Sequence, residues 1–171
     1  MSQIKIIDNF LNKSYHLQML DLLNGFDFPW YYQDNISNKG NENSLKEFGF
    51  SHIFVDKNGP RPSNFYFFIY PFILKLHDEL NTNKILRCRA DMTVNSESGH
   101  IHEYHKDYDI PNIATVYYVN DSDGDTIFKD SKEKITPKAN RLIIFDGSLL
   151  HTGSSPKNSK TRVLLNSNFV R

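Results

Sequence analysis

Cysteine is nearly absent from the chain: Cys88 is the single one among 171 residues. No internal disulfide can form, and no thiolate cluster can hold a metal. Any metal must therefore rest on histidine and carboxylate. Cys88 lies in a strand-like stretch and reads as a buried, inert thiol. Net charge is absent too, with 20 Lys plus Arg against 20 Asp plus Glu. Phosphate neutralisation needs a basic surplus or stripe, so this balance disfavours nucleic acid as a partner. No apolar run approaches the ~18 residues of a membrane span, and the N-terminus lacks the charged and apolar regions of a signal peptide. The reading is a cytoplasmic protein with no membrane partner. Internal repeats and a linker are also missing, which leaves one domain over residues 1–171. A chain of this size buries roughly 70% of its unfolded surface and needs no staple.

What is present is a globular composition, with aromatics at 13%, nine of them Tyr and thirteen Phe. Residues 4–7 read as a strand. Residues 14–23 read as a helix with Ser14 as N-cap, Leu17, Leu20 and Leu23 on one face, and Gly25 as its stop. Residues 33–47 are the most polar stretch and predict a long loop, either a lid over a site or a plain surface loop. Phe65, Phe68, Ile69, Phe72, Leu76 and Leu80 keep helical spacing from a start at Ser63, with Pro71 kinking that helix or marking its first turn.

From residue 84 the texture changes to period-two segments separated by turns. The strand candidates are residues 85–95, 100–106, 112–120, 126–129, 141–146 and 161–170. Many short strands with regular turns predict a mainly β jelly roll, with the two N-terminal helices packed on its outside. Residues 1–83 then act as helical and strand support, and residues 84–171 form the core. On the last strand, alternation puts Arg162, Leu164, Asn166 and Asn168 on one face, and an inward, wet, ligand-binding face accounts for so many polar groups.

Four of the seven histidines fall in two places, His100, His102 and His105 on one segment and His151 on another. His105-x-Asp107 is an H-x-D triplet, and an extended backbone projects residues i and i+2 to the same side. The triplet alone is weak evidence. Its context adds weight: a strand at residues 141–146 leads to His151, and Arg162 opens the final strand. Two imidazoles and a carboxylate on one face of an octahedron leave adjacent positions open, the arrangement of non-haem Fe(II) oxygenases. A dicarboxylate cosubstrate then needs a buried cation, and Arg supplies a bidentate fork. Arg162 is the candidate. His100-x-His102 could instead serve a cupin-like metal site, but a role at the site entrance or surface is preferred.

His105-x-Asp107, His151 and Arg162, together with Ala114-Thr115-Val116-Tyr117-Tyr118-Val119-Asn120 and Arg141-Leu142-Ile143-Ile144-Phe145, resemble the Fe(II)/2-oxoglutarate-dependent oxygenase superfamily. The prolyl-4-hydroxylase-like branch is the nearest in pattern. The wording of residues 117–128 and 145–162 also resembles small phage-encoded oxygenases of unassigned substrate, which would place the chain in a host cytoplasm. The resemblance implies a double-stranded β-helix with iron on His105, Asp107 and His151. It implies 2-oxoglutarate and O2 as cosubstrates, with hydroxylation of a small molecule or peptide. It further implies Tyr118 as a hydrogen-bond donor to the distal carboxylate, and Asn95 in the place of a Tyr that lies near the cosubstrate in prolyl hydroxylases. The alternative is a jelly-roll module that binds a metal or ligand without turnover.

Overall fold

A computed structural model describes residues 4–36 and 46–171. Its elements run β1 (Ile4–Asp8), α1 (Lys13–Asn24), β2 (Tyr31–Gln33), β3 (Gly49–Asp56), β4 (Gly59–Pro60), α2 (Tyr66–Leu80), β5 (Ile85–Val94), β6 (Asn112–Tyr118), β7 (Thr126–Phe128), β8 (Lys134–Ile135), β9 (Arg141–Asp146), β10 (His151–Gly153) and β11 (Thr161–Val170). The major sheet has the order β1-β9-β6-β11-β5-β3-β2, with β4 on β3, and a minor sheet has the order β10-β7-β8. All pairings are antiparallel. This is the jelly roll the strand spacing predicts. The first half of the chain does more than flank it, because β1, β2 and β3 extend the major sheet at both ends.

Strand alternation divides the apolar residues into two cores. Tyr117, Leu142, Val163, Leu165 and Phe169 face the helices, where they meet Met19, Leu23, Ile69, Phe72 and Leu76. Cys88 is fully buried in this layer, and burial pushes its thiol up to about 12, so it is inert. Ala114, Val116, Tyr118, Ile143, Phe145 and Leu164 face the other way, against Phe128 and Ile135 of the minor sheet. The polar inner row of β11 therefore lies between the sheets, as its alternation predicts. Among the described residues no helix is long and apolar enough to cross a membrane.

Several local expectations change. Asn12, not Ser14, caps α1, because its side chain accepts the Tyr15 N–H at 2.9 Å. The helix consequently turns His16, Met19 and Leu23 inward and leaves Leu17 exposed, while Gly25 ends it as expected. Pro71 is the sixth residue of α2, and it sits on the exposed side where the orphaned carbonyl of Phe67 can reach water. Residues 100–106 do not form a strand. They meet the opposite chain only at Ile101 with Ser154 and at His105 with His151. Four steps on one side face three on the other, so the register slips by one residue and the ladder breaks. Of the long polar stretch, residues 37–45 lie outside the described residues, and with them the lid expectation. Its two ends are joined by the Ile36 N–H donating to the Glu47 carbonyl at 2.9 Å.

Candidate metal centre and anion pocket

The slipped register has a direct consequence for side-chain placement. His105 and His151 exchange backbone hydrogen bonds at 2.9 and 3.1 Å, which locks two histidines far apart in sequence side by side. Each imidazole is then oriented locally. His105 Nδ1 lies 3.1 Å from the Glu103 carbonyl, and His151 Nδ1 lies 3.0 Å from the Leu149 carbonyl. A carbonyl can only accept, so both Nδ1 atoms carry a proton, and in the neutral ring each Nε2 presents its lone pair. Those lone pairs face Asp107, at 3.9 Å for His105 and 4.0 Å for His151. Phe145 packs edge-on to the His151 ring at 4.9 Å and fixes it further.

Asp107 is itself held from behind. Arg87 Nη2 donates to Oδ1 at 2.7 Å, and the Asn168 amide donates to Oδ2 at 3.0 Å, with Asn166 more distant at 3.5 Å. Burial penalises the Asp107 charge, but Arg87, His151, Asn168 and His105 together outweigh it and hold the carboxyl well below the usual carboxylate range. Burial likewise pushes His151 below the ordinary imidazole value. The centre thus offers two imidazole Nε2 atoms and one carboxylate, all ligand atoms within 4.8 Å. Two imidazole nitrogens and a carboxylate converge on one point, a set that fits a divalent cation.

A cleft adjoins this centre, lined by His105 and His151 together with Arg162, Thr126 and Gly153. Arg162 is buried, with Nη2 donating to Thr126 Oγ1 at 2.8 Å and its guanidinium 5.9 Å from the Tyr118 ring centre. Tyr118 OH donates to the same Thr126 oxygen at 2.7 Å. With both lone pairs of Thr126 taken, its own O–H is free to donate elsewhere. Among the described residues no carboxylate forms an ion pair with Arg162, and its Nε has no hydrogen-bond partner. Burial pulls its pKa below the usual Arg value. A buried cation with an unfilled fork is an anion site. Two glycines make room for it: a Cβ on Gly153 would stand 3.0 Å from Arg162 Nη1, and one on Gly124 would stand 2.9 Å from its Cδ.

Of the six residues singled out from sequence, the structure brings together His105, Asp107, His151, Arg162 and Tyr118. Asn95 is a correction. It is exposed, and its amide donates to the carbonyls of Lys157 and Ser159 at 2.6 and 3.2 Å, so it fastens the turn before β11 and does not line the cleft. Of the two roles expected for His100 and His102, site entrance or surface, the structure excludes a surface position for His102: it is buried, lines the cleft and lies 3.2 Å from Glu47, while partly exposed His100 lies 2.7 Å from the same carboxylate. Burial drives His102 down to about 4 against the opposing pull of Glu47. Sequence reasoning missed Arg87, Thr126 and the Arg89–Asp91 pair, which meets at 2.6 Å on the cleft wall. The alternation Arg87-x-Arg89-x-Asp91 on one strand was the available signal, the same one read on β11.

No protein-family model matches the chain, and no curated protein matches it either. Solved structures do. A viral collagen prolyl hydroxylase from Paramecium Bursaria Chlorella virus-1, in its 2-oxoglutarate complex, superposes with a TM-score of 0.65 over 99% of this chain and 97% of that one, at 16% identity. A prolyl hydroxylase from Trichoplax adhaerens, in complex with a peptide fragment of the hypoxia-inducible factor oxygen degradation domain, gives 0.74 over 98% and 83%, at 14% identity. A non-haem α-ketoglutarate-dependent epimerase of nogalamycin biosynthesis gives 0.67 over 98% and 77%, at 10% identity. The chain therefore has the fold of prolyl hydroxylases and other 2-oxoglutarate oxygenases. That fold carries more than one reaction, so activity must be argued from the site.

Proposed function

We propose that the protein is a non-haem Fe(II)- and 2-oxoglutarate-dependent oxygenase. It would hydroxylate a small-molecule or peptide substrate while 2-oxoglutarate and O2 are converted to succinate and CO2. The observation that carries this reading is the juxtaposition of two features in one cleft: the convergence of His105, His151 and Asp107, and the buried guanidinium of Arg162, which has no carboxylate partner among the described residues.

His105 Nε2, His151 Nε2 and an Asp107 oxygen would hold the iron, which when bound supplies the redox chemistry with O2. Arg162 and the free Thr126 hydroxyl would bind the distal carboxylate of 2-oxoglutarate, with Tyr118 polarising Thr126 from behind. Arg87, Asn166 and Asn168 keep Asp107 ionised and aimed. Phe128, Phe145 and Val116 form dry walls around His151 and Arg162. Toward the other end, Ile36, Phe50 and Met92 give an apolar lip beside the Arg89–Asp91 pair, a surface suited to a substrate with an apolar body and a polar group.

Succinate formation tests the reading. Aerobic incubation with Fe(II) and 2-oxoglutarate should yield succinate, and addition of a host-cell extract should yield products one oxygen heavier by mass spectrometry. His105→Ala and Asp107→Ala should each abolish turnover by removing an iron ligand. Undiminished succinate in both variants would sink the assignment. Metal-dependent 2-oxoglutarate binding without succinate would instead favour the non-catalytic binding module.

A further inference from the structure

A second cluster of metal-ligating side chains lies near this centre and takes no part in the role just assigned. Glu47 Oε1 is 2.7 Å from His100 Nε2, and Glu47 Oε2 is 3.2 Å from His102 Nδ1. The three ligand atoms lie within 4.8 Å of one another. The side chains of Glu47 and His102 are only 5% and 3% exposed, and that of His100 is 22% exposed. Among the described residues no Lys or Arg pairs with Glu47. A buried carboxylate flanked by two imidazole nitrogens is a set of donor types that a divalent cation can take.

The donors are set by backbone hydrogen bonds independent of the cluster. Glu47 is positioned by its carbonyl, which accepts the Ile36 N–H, and residues 100–102 by the Ser155 N–H to His100 carbonyl bond at 2.8 Å and the His102 N–H to Gly153 carbonyl bond at 3.1 Å. His102 Nε2 lies 3.2 Å from Ser155 Oγ. The Ser155 hydroxyl can also accept a proton on Nε2, so the tautomer that frees Nδ1 for a cation in exchange for its contact with Glu47 has a partner waiting. The geometry points to a second divalent-cation site of the tetrahedral zinc class, separate from the His105/Asp107/His151 centre, with Glu47, His100 and His102 as its protein ligands. Tetrahedral bonds of ~2.0–2.2 Å hold ligand atoms about 3.4 Å apart. The His102–Glu47 separation nearly meets that spacing, and His100 reaches it by a small swing of one partly exposed side chain. The bound cation neutralises the carboxylate and cross-links the lead-in of β3 to the segment that carries His105. It thereby stiffens the cleft wall that His102 lines.

The proposal does not depend on turnover, so its test is metal content. The purified chain is equilibrated with Zn(II), freed of loosely bound ion and assayed by mass spectrometry. In parallel it is titrated with Co(II), whose tetrahedral complexes absorb far more strongly than octahedral ones. Wild type should hold two equivalents, and Asp107→Ala one, with the intense Co(II) band retained. Glu47→Gln and His100→Ala should each hold one, with that band lost and Zn(II) affinity at this site reduced by more than about 100-fold. His100 is the most exposed of the three ligands, so its truncation disturbs the interior least, and circular dichroism confirms that the variants are folded. A single equivalent in wild type, or a second one that survives both Glu47→Gln and His100→Ala, overturns the proposal. Loss of iron-dependent succinate formation with two equivalents intact would refute the oxygenase reading and leave this site standing.

Discussion

Replacing Arg162 with Met separates an anion anchor from a structural residue, because the two roles move different observables in opposite ways. Without ligand, Arg162 is a buried cation that donates to Thr126 at 2.8 Å and contacts Tyr118, and among the described residues no carboxylate forms an ion pair with it. Its desolvation is largely uncompensated, so a methionine of similar length should leave the melting temperature unchanged or raise it. With 2-oxoglutarate bound, the same substitution leaves a buried carboxylate without its cation. Breaking such a pair costs about 3 kcal/mol or more, which corresponds to roughly 100-fold weaker binding at the least. The assay is isothermal titration of 2-oxoglutarate into protein loaded with redox-inert Mn(II), with thermal melts in the presence and absence of the ligand. The expected result is an unchanged or higher melting point without ligand, and loss of both measurable affinity and the ligand-induced shift. If affinity stays within about threefold of wild type, the anchor lies elsewhere and the argument from the unfilled fork is wrong.

Three further substitutions probe the support of the site. Gly153→Ala brings a methyl group to 3.0 Å from Arg162 Nη1, a contact the guanidinium can escape by moving. The Michaelis constant for 2-oxoglutarate should therefore rise several-fold with little change in melting temperature, and a normal Michaelis constant would show that the fork is not that tightly placed. Arg87→Met removes the 2.7 Å partner of buried Asp107 and should cost the metal-free protein roughly 3 kcal/mol, or about 6–12 °C in melting temperature, with much of it recovered on metal loading. Equal melting points with and without metal would count against Asp107 as a ligand. Asp8 is lowered to about 2 by its hydrogen bond to Arg141 on β9, against a small opposing effect of burial. The unfolded chain binds the proton more readily there, so this contribution is complete above about pH 4 and is lost as pH falls toward 2. Melting curves across that window should be steeper in pH for wild type than for Asp8→Asn, and identical slopes would refute the linkage.

How far the sequence could be read depended on whether a feature was local and regular. The β11 alternation survived intact because its ten residues pair without interruption until Asn168, so inward Arg162, Asn166 and Asn168 followed from period two alone. β3 escaped notice because a register shift between Ile53 and Val55 buries the adjacent residues Phe54 and Val55 together and erases the alternation. The stretch 100–106 failed for a related reason, a one-residue slip, and that slip is what brings His105 beside His151. Asn95 stands where the resemblance puts the Tyr of prolyl hydroxylases. A short amide cannot span what a phenol does, and here it satisfies two turn carbonyls instead. The meeting of Glu47 with His100 and His102 had no local signature, since a contact across more than fifty residues is set by topology.

The charge distribution of the site also explains an order of assembly. The chain has zero formal net charge, and the charges around the cleft nearly balance as well: the guanidinium groups of Arg87, Arg89 and Arg162 stand against the carboxylates of Asp107, Asp91 and Glu47, the last beside His102. Burial raises the cost of the Asp91 charge and shifts that group toward its neutral form, which tips the balance to the positive side. A divalent cation held by the Asp107 carboxylate and its two imidazoles adds to that positive charge. Only then is the cleft positive enough to draw in a dianion past an apolar lip. Metal should thus bind first and tighten 2-oxoglutarate, and by linkage 2-oxoglutarate should tighten metal by the same factor. Because Arg162 and Asp107 are both buried, this coupling should persist at ionic strengths that screen surface pairs. A 2-oxoglutarate affinity that is equal in metal-free and Mn(II)-loaded protein would mean that the fork alone, and not the joint centre, is the binding site.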